Sequence, residues 1–281
     1  MGASLVAKLS DDIQIPEARC FFGFQIMQRN IHEELFTVML DMFTEGFSDR
    51  DAILESVKDC TLFFAKKTQP LVSAVQAKKA WVERYITDSC DHFSVRVLAS
   101  AVYNYMFQAV LIDALLHVAK VSELGGQKPS LPGLLRSLSK FQRDQRQYFS
   151  FFGNILDILK NKPKQALAER MVTEVMSIES MLLDNLLNLS GGSVQLSGTD
   201  VNPTLIKERL KMHANICLTS LGFRAPFEVK DPLPWIHAIL TREAKKDDVE
   251  HGIQMPSKAS AAPKAKKQAM ETLVFSLSED F

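Results

Sequence analysis

Apolar and polar residues recur along most of the chain with the period of an α-helix. In Phe21–Phe36, which reads FFGFQIMQRNIHEELF, apolar residues return three or four positions apart, and the pattern continues beyond this stretch. Similar long segments follow as far as about residue 240, with no clear strands among them. A run of long amphipathic helices predicts an all-α protein built as a helical bundle.

The limits of these helices follow from capping and helix-breaking residues. Ser48-Asp49 is expected to cap the second helix, and Gly222 to end the last. The predicted helices are Ile13–Gly46, Arg50–Lys67, Pro70–Thr87, Ser94–Val121, Leu134–Lys160, Lys164–Leu189 and Leu205–Leu221. Segments rich in Gly or Pro predict irregular structure at Glu123–Gly133, Gly191–Thr204 and Pro226–Trp235.

The segment after about Thr241 differs from the rest in composition. Residues 243–270 are rich in Ala, Lys and Ser, which is typical of a flexible linker, so the bundle is expected to span residues 1–242. Residues 271–281 end in FSLSEDF, where apolar side chains stand beside acidic ones. This pattern favours a docking peptide, and the alternative is a frayed tail.

Composition and charge narrow the possible functions. The chain has 46% hydrophobic residues and equal numbers, 33 each, of basic and acidic residues, so nucleic acid and anionic membranes are not indicated as partners. No apolar run is long enough to predict a transmembrane helix. The four cysteines are scattered, without a C-x-x-C motif, which favours a reducing compartment and a cytoplasmic location.

The first helix carries an unusual group of polar residues. Arg29 and His32 lie three positions apart on one helical face, and Phe36 lies one turn beyond. Two interpretations are open at this point: a histidine satisfied within the core beside an arginine whose head reaches water, or the remains of a functional site.

Glu17–Phe36 resembles the most recognisable helix of the small (beta) subunit of class I ribonucleotide reductase, in its eukaryotic form. Further segments resemble the same family in the same order: Trp81–Val102, Leu131–Leu134 with Arg143-Asp144, Asn202–Leu210, Leu221–Phe223, Asp231–Trp235 and Phe275–Phe281. The resemblance implies a ferritin-like helical bundle, N-terminally truncated relative to the family, with a flexible C-terminal tail.

The resemblance also implies chemistry that this sequence has lost. The family holds a di-iron centre with carboxylates and two histidines of E-x-x-H motifs, and it forms a radical on a nearby tyrosine. At those positions this chain has Arg29, His32, Tyr103, Gln145 and Tyr148, and Phe36 stands at the radical position. The remaining carboxylate would precede the first matching residue. We therefore expect no metal, no cofactor and no catalytic residue: a degenerate paralogue.

Three expectations concern the residues left behind. His32 is expected to keep the hydrogen bond to Asp144 that orients the metal-bound histidine in the family. Arg29 is expected to replace the positive charge of the metal and to pair with an acidic group. Tyr103 and Tyr148 are expected to fill the space of the lost metals rather than to carry radicals.

The resulting hypothesis is a non-catalytic structural or regulatory partner in deoxyribonucleotide synthesis. Its expected partners are the large subunit, bound through Phe275, Leu277, Asp280 and Phe281, and a complete small subunit in a heterodimer. Two alternatives remain open: an enzyme with a different metal arrangement, and an inhibitory or repurposed protein whose tail occupies the large subunit. An error in the gene model could also explain the short beginning, and a genuinely short bundle is expected to expose apolar surface and to associate.

Overall fold

The computed structural model describes residues 6, 9–44, 51, 69–87, 92–107, 109, 112–116, 132–189, 195–196, 199–200 and 203–250. Its helices are α1 (Pro16–Thr44), α2 (Gln69–Val82), α3 (Phe93–Met106), α4 (Pro132–Ile158), α5 (Gln165–Leu189), α6 (Pro203–Ser220) and α7 (Pro234–Glu250). Residues 9–12 and 112–116 are also helical. The all-α fold predicted from the hydrophobic pattern is confirmed.

Proline sets the start of several helices. α1, α4, α6 and α7 each begin at a proline, whose fixed φ suits the first turn and whose missing N–H is not needed there. For this reason α1 starts at Pro16 rather than at Ile13. The second predicted helix, Arg50–Lys67, with its cap at Ser48-Asp49, lies outside the described residues except for Asp51.

The predicted helix Pro70–Thr87 divides into two parts. α2 ends at Val82, and Glu83–Thr87 continue as a π-helical turn that buries Tyr85 and Ile86. A π-helical turn has i→i+5 hydrogen bonds and is rare, and it occurs mostly as a single turn. α3 buries nine of its 14 residues, and it packs against α4, α5 and α6.

Between α5 and the end of α7, the structure differs from the sequence prediction in two places. Gln195–Leu196 (β1) pair antiparallel with Thr199–Asp200 (β2) within the predicted loop Gly191–Thr204. α7 runs to Glu250, into the predicted linker, because its Ala, Lys and Glu residues are strong helix formers. Gly222 does end α6 in the left-handed conformation, at φ 83°.

Two clusters of buried apolar side chains form the core of residues 1–243. The larger includes Phe22, Trp81, Leu98, Phe152 and Met171, and a contact between Asp12 and Arg96 holds the start of the chain to α3. The smaller consists of Ile112, Leu116, Leu134, Leu135, Leu138, Phe141, Leu233, Ile236 and Leu240. Of the second unit, residues 244–281, the structure describes only the helical residues up to Glu250.

Among the described residues, none of the helices is both long and apolar enough to cross a membrane.

Candidate degenerate metal centre

One face of α1 points polar side chains into the core. Gln25, Arg29 and His32 follow one another at spacings of four and three, and they are only 0%, 8% and 8% exposed. Phe36 continues the same face, and its ring meets that of Phe141 edge to face at 5.2 Å. α4 supplies the opposite wall, with Asp144, Gln145 and Tyr148 on one side of that helix; α3 supplies Tyr103 and Asn104. The structure thus brings together the positions that the resemblance singled out.

Among the described residues, the contacts of Arg29 are with a neutral amide and two aromatic rings rather than with an acidic group. Its Nη2 donates a 2.5 Å hydrogen bond to the amide oxygen Oδ1 of Asn104. Its Cζ lies 5.8 Å from the ring centroid of Tyr103 and 5.6 Å from that of Tyr148, both within range of a cation–π attraction. The negative faces of two aromatic rings and one amide dipole therefore take the place of a carboxylate.

His32 and Asp144 are in hydrogen-bond contact. His32 Nε2 lies 2.9 Å from Asp144 Oδ2, and both side chains are nearly buried. The ring of Phe141 lies 4.7 Å from the imidazole and limits its rotation. The contact joins α1 to α4, and the two residues are 112 positions apart in the sequence.

Tyr148 stays protonated in this environment. Its side chain is fully buried, and its hydroxyl donates a 2.8 Å hydrogen bond to Gln28 Oε1. Burial raises the pKa of Tyr148 far above its usual value, the nearby Asp144 charge raises it further, and Arg29 opposes both. A neutral phenol is a poor ligand for a hard divalent cation.

Several buried polar atoms here lack a hydrogen-bond partner among the described residues. They are both amide atoms of Gln25, Nε of Arg29 and Oε1 of Gln145. Such atoms cost about 1–3 kcal/mol each unless an internal water satisfies them. Sequence reasoning missed Gln25, Gln28 and Asn104. Of these three residues, only Gln25 could have been found from the sequence, because it lies one turn before Arg29 on the same helical face.

The donor set does not fit the di-iron centre that the resemblance implies. An iron pair of this kind requires several carboxylates that are free to bridge or chelate. The positions hold a guanidinium, a neutral amide, two phenols and one imidazole, and Asp144, the nearby carboxylate, contacts His32. Within the described part of the chain, no three His, Cys, Asp or Glu side chains are grouped to hold a metal ion. The fixed charge of Arg29 would also repel a cation.

A second buried polar cluster, which sequence reasoning also missed, joins α6 to Asp113 and Asp231. Arg209 donates from Nε to Asp113 Oδ2 at 2.8 Å and from Nη1 to Asp231 Oδ1 at 2.5 Å. His213 Nε2 lies 3.0 Å from the same Asp113 oxygen. Burial alone would raise the pKa of Asp231, but the hydrogen bonds from Arg209 and the Leu233 N–H, together with the charges of Arg209 and His213, outweigh it and lower the pKa below its usual value. Here the buried arginine is neutralised by carboxylates.

A cavity of about 260 Å³ lies between the two polar clusters. Asn104 and Gln145 line one side, and Arg209 and His213 line the other. The predicted docking residues Phe275, Leu277, Asp280 and Phe281 lie outside the described residues.

Comparisons with known proteins agree with this arrangement of helices. A family model described as "Ribonucleotide reductase, small chain" matches residues 1–234. The chain is 28% identical over 239 residues to ribonucleoside-diphosphate reductase subunit M2 of Mesocricetus auratus, covering 85% of this chain and 55% of the relative. It is 26% identical over 281 residues to ribonucleoside-diphosphate reductase small chain 1 of Saccharomyces cerevisiae, covering 100% of this chain and 63% of the relative.

The fold also resembles the ribonucleotide reductase Rnr4 homodimer from Saccharomyces cerevisiae, with a TM-score of 0.57 and 24% identity. That match covers 82% of this chain and 66% of the other, and it supports the fold alone. The chain spans a little over half the length of the curated relatives that it matches.

Proposed function

Because this chain belongs to the small-chain family of ribonucleotide reductase, we propose that it acts in deoxyribonucleotide synthesis as a non-catalytic structural or regulatory partner. In this proposal it retains the ferritin-like bundle of the family and leaves radical formation to a complete small chain.

The observation that carries the proposal is the place of Arg29. Its guanidinium lies between Tyr103 and Tyr148, where the resemblance puts carboxylate and histidine ligands, and it is 8% exposed. A fixed positive charge in that pocket disfavours a divalent metal, and Phe36 has no phenolic hydroxyl to oxidise. These two features remove both parts of the chemistry that the resemblance implies.

The outer face of α1 supports association with another small chain. Met27, Ile31 and Val38 are 51%, 54% and 50% exposed, and their spacings of four and seven place them on one stripe. An apolar stripe on the outside of a helix is a common contact surface between proteins. In our proposal, a complete small chain covers this stripe in a heterodimer.

The C-terminal residues supply the second contact of the proposal. In our proposal, the bundle comprises residues 1–242, the residues after Glu250 serve as a tether up to about residue 270, and residues 271–281 dock to the large subunit. Phe275, Leu277 and Phe281 are the apolar anchors, and Asp280 is the acidic contact. The cytoplasm is the proposed location.

Binding to the cognate large subunit tests this role. We expect the full chain to bind, and the double variant Phe275→Ala/Phe281→Ala to lose most of the affinity because both aromatic anchors are removed. The matched control Ser276→Ala/Ser278→Ala changes two neighbouring positions of the same tail and should bind as the full chain does. Equal binding by both double variants would contradict the docking role.

Turnover then separates a helper from an inhibitor. Added to the large subunit and a complete small chain, a helper raises or sustains the rate of ribonucleotide reduction, whereas an inhibitor lowers it as the concentration rises. The chain alone with the large subunit should give no turnover. Turnover without a complete small chain would contradict the proposal and favour the alternative of a different metal arrangement.

A further inference from the structure

A surface groove between α1 and α4 has an aromatic floor. Phe21 and Phe151 stack face to face with their ring centroids 4.0 Å apart, and Phe24 lies 6.2 Å from Phe21. Phe24 is 42% exposed, a high value for a phenylalanine beside two other rings. The groove is wide open to solvent, and its volume of about 720 Å³ has room for several side chains of a bound peptide.

The rim of the groove is polar and carries positive charge. Arg143 and Arg146 lie three positions apart on α4, so both reach the same side, and both are exposed. No carboxylate is among the described residues that line the groove. Arg146 donates a 3.2 Å hydrogen bond to Gln142, which is neutral, and the structure gives Arg143 no ion pair with a described residue.

Aromatic rings beside unneutralised arginines recognise a ligand with the complementary features. Such a ligand presents apolar or aromatic groups to the floor and carboxylates to the guanidinium groups, which bind them with two parallel hydrogen bonds. A peptide that alternates bulky apolar and acidic residues has this chemistry. The last seven residues, FSLSEDF, contain Phe275, Leu277 and Phe281 beside Glu279 and Asp280.

We propose that the groove formed by Phe21, Phe24, Phe151, Arg143 and Arg146 binds the acidic-aromatic C-terminal peptide of a second copy of this chain. The contact gives the tail a binding site on a small chain, in competition with the large subunit. This inference rests on the proposed function only for the docking role of the tail. The groove itself is independent of that role.

A synthetic peptide of residues 272–281 tests the groove directly. The binding protein is the full-length chain carrying Phe275→Ala and Phe281→Ala, so that its own tail does not compete. We expect saturable binding that weakens as salt concentration rises, because exposed charges are screened. Adding Arg143→Gln and Arg146→Gln should weaken binding by about fivefold or more, at about 0.5–1 kcal/mol for each exposed contact.

The matched control is Lys160→Gln/Lys164→Gln. It removes the same net charge from exposed positions just after α4, so it should leave peptide affinity unchanged. A peptide with Glu279→Gln and Asp280→Asn should bind the parent protein weakly and lose little more on the arginine variant. Equal losses in the two double variants, or no loss in either, would overturn the proposal.

Two further readouts separate this inference from its alternatives. The arginine variant, made with an intact tail, should bind the large subunit normally, so failure of the groove and failure of the proposed function are distinguishable. Aromatic rings beside arginines are also typical of sites that bind single-stranded nucleic acids, so an oligonucleotide is the alternative ligand. Tighter binding of a mixed-sequence oligonucleotide than of the peptide would overturn the proposal.

Discussion

Two buried arginines of this protein are held in opposite ways. Arg209 is 3% exposed and donates to two carboxylates, Asp113 and Asp231. Arg29 is 8% exposed and contacts a neutral amide and two aromatic rings. Arg209 is part of a network neutralised by carboxylates, whereas no described carboxylate pairs with Arg29, which lies where the resemblance implies a metal. The comparison shows that burial alone does not determine the role of a charged side chain. The groups that the side chain contacts determine it.

The largest expected effect concerns Arg209. Arg209→Met removes the guanidinium that neutralises the buried Asp113 and leaves it only the imidazole of His213 among the described residues, so we expect the free energy of unfolding to fall by about 3–5 kcal/mol. Denaturant unfolding measures the change. The control Lys207→Met, on the same helix, removes a partner of the partly exposed Asp184 and should cost less than about 1 kcal/mol. Similar losses in both variants would contradict the structural role of Arg209.

Glu179, a third buried charge, is expected to make stability depend on pH. Burial raises its pKa from 4.5 to about 7, and the ion pair with Lys78 opposes the rise. The folded chain therefore binds more protons than the unfolded chain between these values. The free energy of unfolding attributable to Glu179 should fall by about 3 kcal/mol as pH rises from 4.5 to 7.

The variant Glu179→Gln isolates this contribution. We expect its unfolding free energy to vary less with pH across that window than that of the parent chain. The slope is the test rather than the absolute stability, because the substitution also removes the partner of Lys78. Lys78 keeps its 3.0 Å hydrogen bond to the carbonyl of Phe107. Parallel pH profiles of the two proteins would show that Glu179 titrates normally.

Arg29 should matter less to stability than Arg209. Arg29→Met removes one charge-assisted hydrogen bond and two cation–π contacts, but it also relieves the cost of a buried charge. We expect a loss of about 1–2 kcal/mol in urea unfolding. A loss as large as that of Arg209→Met would mean that Arg29 has a carboxylate partner in solution, and it would remove the contrast between the two residues.

The smallest expected effect is the coupling of His32 to Asp144. A double-mutant cycle of His32→Ala and Asp144→Ala should give a coupling energy of about 1 kcal/mol, as for one nearly buried polar contact. Thermal unfolding of the four proteins supplies the values. A coupling near zero would show that packing against Phe141, rather than the hydrogen bond, holds the imidazole.

The sequence predicted the helices well because their period is a local property. The hydrophobic pattern located α1 and α5, and Gly222 marked the end of α6. The π-helical turn at Glu83–Thr87 and the strand pair within Gly191–Thr204 were not predicted, because a five-residue turn leaves no helical period of its own and strands of two residues are too short for an alternating pattern.

The candidate site was less predictable from local pattern. The resemblance placed Arg29, His32 and Asp144 near one another. No pattern in the sequence selects Asn104 as the partner of Arg29, because 75 residues separate them. Arg209 and Asp113 are 96 residues apart, so no pattern in the sequence selects them as partners either. Among the described residues, the partners of Arg29 are an amide and two aromatic rings, and the acidic partner expected from the sequence stays a prediction.

The most direct test of a non-catalytic chain is its response to iron. The full chain and its Phe36→Tyr variant are incubated with ferrous iron without oxygen, exposed to oxygen, desalted, and examined by metal analysis and electron paramagnetic resonance. A complete small chain treated in parallel is the positive control. We expect neither stoichiometric iron nor a tyrosyl radical in either protein, because restoring a phenol at position 36 does not restore the ligands. A bound iron pair in the unmodified chain, or a radical in the Phe36→Tyr variant, would contradict the proposal that Arg29 and its neighbours have replaced the metal centre.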